Sequence, residues 1–341
     1  MILIFSQDKN EASTDCVIDW LDIYNISFKR FNGIDFYKQV NISIKNGEFK
    51  IKLPHINLDE ISLIWLRRWI TQENSKDLFI ENPKNKDAVI FQLNEYTRSE
   101  LKFLLDFFFI SIPSHLLFSS IRTQEINKLL VLNKAQKLGI NIPDTHILTN
   151  KIEFNKIVEK KELITKAISN GANVNLDNEK YVGYTSIVDK LPEYIKDSFI
   201  PSLFQSKVDK KYEIRSFYLK GNFYSMAIFS QNDKQTEVDF RRYNDFVPNR
   251  TIPYKLPKEI EIKLTKLAAH FGLETGSFDL IKTKENEYIF LEVNPGGQFE
   301  MVSKPCNYFI EKEIAKELIK SSKKNEDNTF NIRKNSRRPK K

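Results

Sequence analysis

Cysteine is nearly absent, with Cys16 and Cys306 the two in 341 residues. Two isolated thiols with no CxxC make neither a disulfide framework nor a cysteine-built zinc site, and they suit a reducing cytoplasm. Histidine is as sparse. His55, His115, His146 and His270 show no metal or triad spacing and are assigned structural roles. Neither GxxxxGK[ST] nor GxGxxG occurs among the 10 glycines, which weakens P-loop and Rossmann readings. No membrane span is expected either. Residues 101–118 come nearest, but Lys102, Asp106, Pro113 and His115 interrupt them, so a buried helix followed by a turn is predicted. Residues 1–6 are apolar yet lack a basic region before them, and they read as a first strand and not a signal peptide.

What remains is globular: 41% apolar residues and 12% aromatics in a chain long enough for a large core and two or three subdomains. The formal charge of +8 suggests nucleic acid until it is located. From Ser321 onward eight Lys or Arg face two acids, so the tail holds +6 and the body about +2. Such a tail is expected to be a solvated, disordered end; contact with nucleic acid or an acidic peptide is the alternative.

Residues 1–114 read as an α/β unit: a strand at 2–5, a helix at 14–24 capped by Ser13 or Thr14, and strands at 26–31 and 61–67 in a partly parallel sheet. Arg67 and Arg68, beside Trp65 and Trp69, either cap the sheet rim or grip an acidic partner. A helix at 122–138 ends at Gly139 and leads through a turn to a strand at 146–148. Lys166 closes a short strand, and SNGAN (169–173) follows as a loop able to aim backbone N–H groups at an anion. Residues 199–207 are a strand and connector. A hairpin of 212–219 and 223–229 turns at Gly221-Asn222 and puts Glu213 and Arg215 on one face. A strand at 237–243 is expected to align Asp239, Arg241 and Tyr243; Arg241 beside Arg242 also reads as a surface ion-pair site.

The most informative stretch is GSFDLIKTKENEYIFLEVNPGGQ (276–298). Two apolar runs flank a polar KENE turn, the pattern of a β-hairpin. With Glu285 and Asn286 at the tip of a symmetric loop, Asp279 falls opposite Glu292, and Asn294 shares their face by alternation. Facing carboxylates repel, so the arrangement persists most easily around a cation, and these hard oxygen donors suit magnesium carrying a nucleotide. A surface hairpin with solvated acids is the plain alternative.

The order of these pieces is more specific than any one of them. RTQEINK (122–128), GINIPDT (139–145), VDFR (238–241) and FLEVNPGGQ (290–298) resemble the ATP-grasp ligases. Within that fold they resemble the peptide maturases that make graspetides, the microviridin-like ester- or amide-crosslinked peptides, and in particular the grasp-with-spasm group. The resemblance covers nearly the whole chain. It implies an α/β (α+β) ATP-grasp architecture with an N-terminal α/β pre-ATP-grasp domain at 1–114, a central ATP-grasp subdomain at 115–199, a C-terminal ATP-grasp subdomain at 200–320 and the basic tail at 321–341.

By the same resemblance Lys128 and Lys166 contact ATP phosphates, although Lys128 alone also reads as an exposed helix lysine. Gln205 and Lys207 hold adenine, Glu213 reaches the ribose, and Asp279, Glu292 and Asn294 hold Mg²⁺. Arg215 and Arg241 meet the transferred phosphoryl group. The single glycine of the phosphate loop, Gly171, is fewer than many relatives carry. The implied activity is ATP-dependent activation of Asp or Glu side chains of a ribosomal (RiPP) precursor peptide as acyl phosphates, followed by ω-ester formation with Ser or Thr or ω-amide formation with Lys. The implied enzyme is a cytoplasmic homodimer that recognises the peptide's leader separately from its acidic, hydroxyl-rich core. Rival readings are an ATP-grasp ligase joining a free amino acid to a small acid or protein terminus, and a non-catalytic nucleotide-dependent binding protein. Membrane and nucleic acid are not the expected partners.

Overall fold

The computed structural model describes residues 1–7, 11–53, 55–67, 87–119, 126–169, 171, 173–176, 179–231, 233, 235–242 and 246–336. Arg68, Trp69, Tyr243, the RTQE of the 122–128 motif, Asn170 and Ala172 of the phosphate loop and residues 337–341 of the tail lie outside them. The chain forms two compact units, one of Met1–Ile121 with Phe309–Lys341 and one of Arg122–Tyr308.

In the first unit β1 (Ile2–Ser6), α1 (Ala12–Ile23), β2 (Phe28–Asn32), α2 (Gly33–Gln39), β3 (Asn41–Lys45), β4 (Glu48–Lys52), β5 (Leu63–Leu66) and α3 (Asp87–Ser111) follow one another. β1 lies between β2 and β5, parallel to both. Its unbroken apolar run Ile2–Phe5 is fully buried, as a strand covered on both faces requires. The cap of α1 is Glu11, not Ser13 or Thr14. Both hydroxyls donate to the Glu11 carboxylate, Thr14 at 3.0 Å, and are buried with it inside the first turn. Arg67 completes this cluster, 3.3 Å from Glu11, 3.1 Å from Ser13 and 5.5 Å over Trp65, so it caps the rim. The helix predicted within 101–118 is α3, with Phe108 the buried residue among many exposed ones.

The second unit holds α4 (Lys128–Lys137), β6 (Thr145–Asn150), α5 (Lys151–Val158), β7 (Leu163–Lys166), β8 (Asn173–Leu176), β9 (Glu179–Val182), β10 (Ser186–Val188), β11 (Ser198–Ser206), β12 (Lys210–Leu219), β13 (Asn222–Phe229), β14 (Arg250–Tyr254), α6 (Lys258–His270), β15 (Thr275–Thr283), β16 (Tyr288–Asn294) and α7 (Glu300–Cys306). Two main sheets result, ordered β10-β7-β11-β6 and β14-β13-β12-β15-β16. The expected division at residue 199 does not describe this packing. α4, from the expected central subdomain, buries Val131, Leu132 and Ala135 in one core with Ile214, Leu264, Phe278 and Phe290 of the second sheet and α6.

Two turns differ from expectation. The β12–β13 turn sits on Lys220 and Gly221, both at positive φ (44° and 95°), and Asn222 already pairs with Leu219. No strand forms at 237–242, because Asp239 turns the chain by accepting the Arg241 N–H at 3.1 Å in place of a ladder bond.

The chain ends in α8 (Ile310–Ser336), which returns to the first unit. The solvated coil expected from Ser321 is therefore helical through Ser336. Ile310, Ile314, Ala315, Leu318 and Ser322 recur at helical spacing and are buried, and Ser322 Oγ lies 2.6 Å from Ser62 Oγ. Asn325 adds 2.8 Å donations to the carbonyls of Ser62 and His115. No described helix is long and apolar enough to cross a membrane.

Candidate functional site

The β15–β16 hairpin has the expected register at its functional end, where Ser277 pairs with Asn294, Phe278 with Val293 and Asp279 with Glu292. It reaches that register by compensation. The loop is asymmetric, closed by a Thr283 N to Glu287 O bond of 3.0 Å with Asn286 at φ 67°, and a bulge between the Asp279 and Leu280 pairs restores the offset. β12 lies on the other side of β15 and pairs Arg215 with Asp279; the Arg215 Nη1 is 3.3 Å from both carboxylate oxygens.

Two lysines from other elements converge on Glu292. Lys128 stands in the first turn of α4, where the Asn127 side chain caps the N–H groups of Leu129 and Leu130. Its Nζ lies 3.0 Å from Glu292 Oε2 and donates to Ala167 O at 3.2 Å, so it links the hairpin to the end of β7. Lys166, the last residue of β7, lies 3.9 Å from the same carboxylate. Arg241 comes from the turn, gripped by Asp239 at 2.9 and 2.7 Å, and Asp239 also accepts from the Thr185 N–H at 3.2 Å.

Lys166, Lys207, Glu213, Arg241, Asp279 and Glu292 line one cleft of about 150 Å³ between the two sheets of this unit. Lys128 and Arg215 are not among the lining residues but pair with the lining carboxylates Glu292 and Asp279. Asn294 is exposed and Gln205 fully buried; neither lines the cleft. The Gln205 amide donates to Thr145 Oγ1 at 2.8 Å while its Oε1 has no partner, and Lys207 pairs with Glu162 at 3.1 Å. Sequence reasoning missed Ser206 and Lys210, and it placed Asp239 beside Arg241 without giving it a role. Ser206 lines the cleft and its buried Oγ has no partner. Lys210 and Glu213 form a buried ion pair, with Ser230 Oγ donating to Glu213 at 2.9 Å.

Charge is finely balanced in this cleft. Burial raises the pKa of Asp279, Arg215 opposes that, and the nearby Glu292 and Glu213 add to it, leaving the carboxyl at about 6. Burial also works against the Glu292 anion, but Lys166 and Lys128 outweigh it and hold the pKa below the ordinary value. Lys166 is lowered by burial, only partly offset by Glu292. Burial raises Glu213 against the pull of Lys210. For Asp239 the Arg241 bonds overcome burial and lower the pKa.

The donor set fits the implied ligands. Among the described residues no group of three or more His, Cys, Asp or Glu gathers. Two adjacent carboxylates suit Mg²⁺, which keeps waters and takes phosphate oxygens for its remaining positions. Lys128, Lys166, Arg215 and Arg241 outnumber Asp239, Asp279 and Glu292, an excess of positive charge that a polyanion would neutralise.

No protein-family model matches the chain, and no curated protein does. Solved structures do. A Chryseobacterium gregarium RiPP-associated ATP-grasp ligase, in complex with ADP and a leader and core peptide, is 26% identical with a TM-score of 0.76, over 94% of this chain and 96% of that one. The macrocyclase MdnC of Microcystis aeruginosa MRC, bound with precursor peptide MdnA, is 26% identical with a TM-score of 0.74, over 94% and 100%. The macrocyclase MdnB from the same source is 22% identical with a TM-score of 0.68, over 93% and 98%. The chain has the ATP-grasp ligase fold, and over nearly its whole length it is similar to the RiPP-associated, macrocycle-forming ligases of that fold.

Proposed function

We propose that the chain is an ATP-dependent macrocyclase that links Asp or Glu side chains of a precursor peptide to Ser or Thr hydroxyls, or to Lys amines, of the same peptide. A carboxylate is a poor electrophile at neutral pH. Its oxygen attacks the γ-phosphorus of ATP, ADP leaves, and the resulting acyl phosphate is attacked by the hydroxyl or amine. Phosphate departs with the carboxylate oxygen, and the nucleophile's proton is released.

In this reading Lys128 and Lys166 hold ATP phosphates, and Asp279 and Glu292, with Asn294 beside them, hold Mg²⁺. The metal, when bound, neutralises phosphate charge. Arg215 and Arg241 face the transferring phosphoryl group, which suits a step in which positioning and electrostatics do most of the work. Glu213 is assigned to the ribose. Gln205 and Lys207 are assigned to the adenine side, and since Gln205 lies behind the cleft, its part is to set the β11 backbone and Ser206 beside the base. A cytoplasmic homodimer and separate recognition of a leader belong to the same proposal.

The observation that carries this reading is the convergence of Lys128 and Lys166 on Glu292 beside the Arg215–Asp279 pair, in a chain similar over 94% of its length to a RiPP-associated ATP-grasp ligase and to the macrocyclase MdnC. The test incubates the full chain with ATP, Mg²⁺ and a leader-bearing peptide whose core is rich in Thr, Ser, Asp and Glu. ADP release matched by loss of one water per link supports it. ADP release that requires a free amino acid, or nucleotide binding without turnover, would overturn it.

A further inference from the structure

Arg241 is held by Asp239, and Asp239 stands in a segment, 230–249, whose described residues form neither helix nor strand. The segment leaves the second sheet after Phe229 and returns at Arg250, and those two residues face each other in the β13–β14 pairing. A loop of more than about 12–15 residues without regular structure is uncommon in a compact domain and costs closure entropy, so side chains have to fix its position. Two devices do so. Thr236 is fully buried, and its hydroxyl lies 3.0 Å from Ser230 O and 3.0 Å from Asn249 Oδ1. Ser230 is the first residue beyond β13 and Asn249 the last before β14, so one hydroxyl ties the neck of the segment. The N–H groups of Thr236 and Glu237 both donate to the Asp233 carbonyl, at 3.1 and 2.9 Å, folding the turn that leads to Asp239. The second device is the buried pair of Lys210 and Glu213 on β12. Ser230 Oγ donates to Glu213 at 2.9 Å, and Lys210 Nζ also reaches Val238 O, one residue before Asp239, at 3.5 Å. A buried ion pair is weak evidence of net stability and is best attested where it sets register. Here both of its partners act on one segment.

From this tie we infer that Thr236 is a positioning residue for phosphoryl transfer. It is not among the residues lining the cleft, and it acts by fixing the segment from which Asp239 delivers Arg241 into the cleft. The inference rests on the proposed role of Arg241 at the transferring phosphoryl group. A misplacement of about 1 Å in a group that works by position costs on the order of a hundredfold in rate. Lys128 and Lys166, assigned to the ATP phosphates, stand on α4 and β7, so loosening the segment falls on the transfer step and not on ATP affinity.

The test uses the full chain with ATP, Mg²⁺ and the leader-bearing peptide of the activity assay, and follows the rate of link formation, the KM for ATP and hydrogen exchange across residues 235–242. Thr236→Val keeps the side-chain shape and removes the hydroxyl. It should lower the maximal rate on the order of tenfold or more while the KM for ATP stays within about threefold. Exchange should quicken in the segment and not in β12 or β15. Thr236→Ser keeps the hydroxyl and should restore the rate. Asn249→Ala cuts the same tie at a half-buried position and should reproduce the loss even where Thr236→Val does not fold. Added to Arg241→Ala, Thr236→Val should bring little further loss, because both act through one guanidinium, whereas a residue that only supported the fold would add its loss in full. Wild-type rates in Thr236→Val and Asn249→Ala, a loss confined to ATP affinity, or full additivity with Arg241→Ala overturns the inference and leaves the role of Arg241 standing. A wild-type rate in Arg241→Ala overturns that role, and this inference with it.

Discussion

Arg215→Lys separates binding from chemistry. Arg215 and Asp279 form a buried pair, with side chains 8% and 12% exposed, and one guanidinium nitrogen touches both carboxylate oxygens at 3.3 Å. Lysine keeps the charge opposite Asp279, so the fold should survive; alanine would strand a buried carboxylate, a loss of about 3–5 kcal/mol for a broken buried pair. Protonation limits that loss, because Asp279 already sits at about 6 and loses the group that lowers it. What lysine cannot keep is the planar fork, which in the proposed role offers a second donor to a phosphate oxygen. Removing one placed donor to a transferring group costs on the order of a hundredfold in turnover, roughly 2.7 kcal/mol at 1.36 kcal/mol per tenfold. The assay compares ATP affinity by calorimetry with the rate of water loss from the peptide by mass spectrometry. Affinity should change only a few-fold while the rate falls about a hundredfold. A variant that fails solely because ATP no longer binds would refute the assignment.

Asp279→Asn should abolish Mg²⁺-dependent ADP release and lower the unfolding midpoint, since it removes a metal ligand and leaves the buried Arg215 without its anion; near wild-type turnover of the folded variant speaks against the metal site. Asp239→Ala should leave the Thr185 N–H and Arg241 without their buried acceptor, at a cost of about 1–3 kcal/mol in urea titrations. It should also slow peptide modification, and unchanged values of both would show the grip on Arg241 to be idle. Truncation after Ser336 should leave stability and turnover intact, whereas truncation after Ser321 should lower the unfolding midpoint by removing Ser322 and Asn325 from their contacts with Ser62; equal midpoints would mean that this end of α8 does not support the first unit.

The register of the β15–β16 hairpin was legible because strand alternation and facing positions are local rules, and even the asymmetric loop was compensated by a bulge before Asp279 and Glu292. Lys210 was not legible for the converse reason. Three residues from Glu213, it belongs on the opposite face of a regular strand, and the irregularity between Lys210 and Tyr212 brings the two together. Arg241 was read onto a strand because VDFR has strand-forming residues, whereas a side-chain acceptor two residues back makes the turn. The last helix was hidden by charge. Its Lys-rich exposed face dominates the composition, while the few buried positions through Leu318 and Ser322 decide its structure.

The measurement closest to the central claim follows oxygen. A peptide whose Asp and Glu side-chain carboxylates carry heavy oxygen is turned over with ATP and Mg²⁺, and the inorganic phosphate is examined by mass spectrometry. Activation through an acyl phosphate moves one labelled oxygen into phosphate for every link formed, and the account predicts that stoichiometry. Links formed with unlabelled phosphate would contradict it.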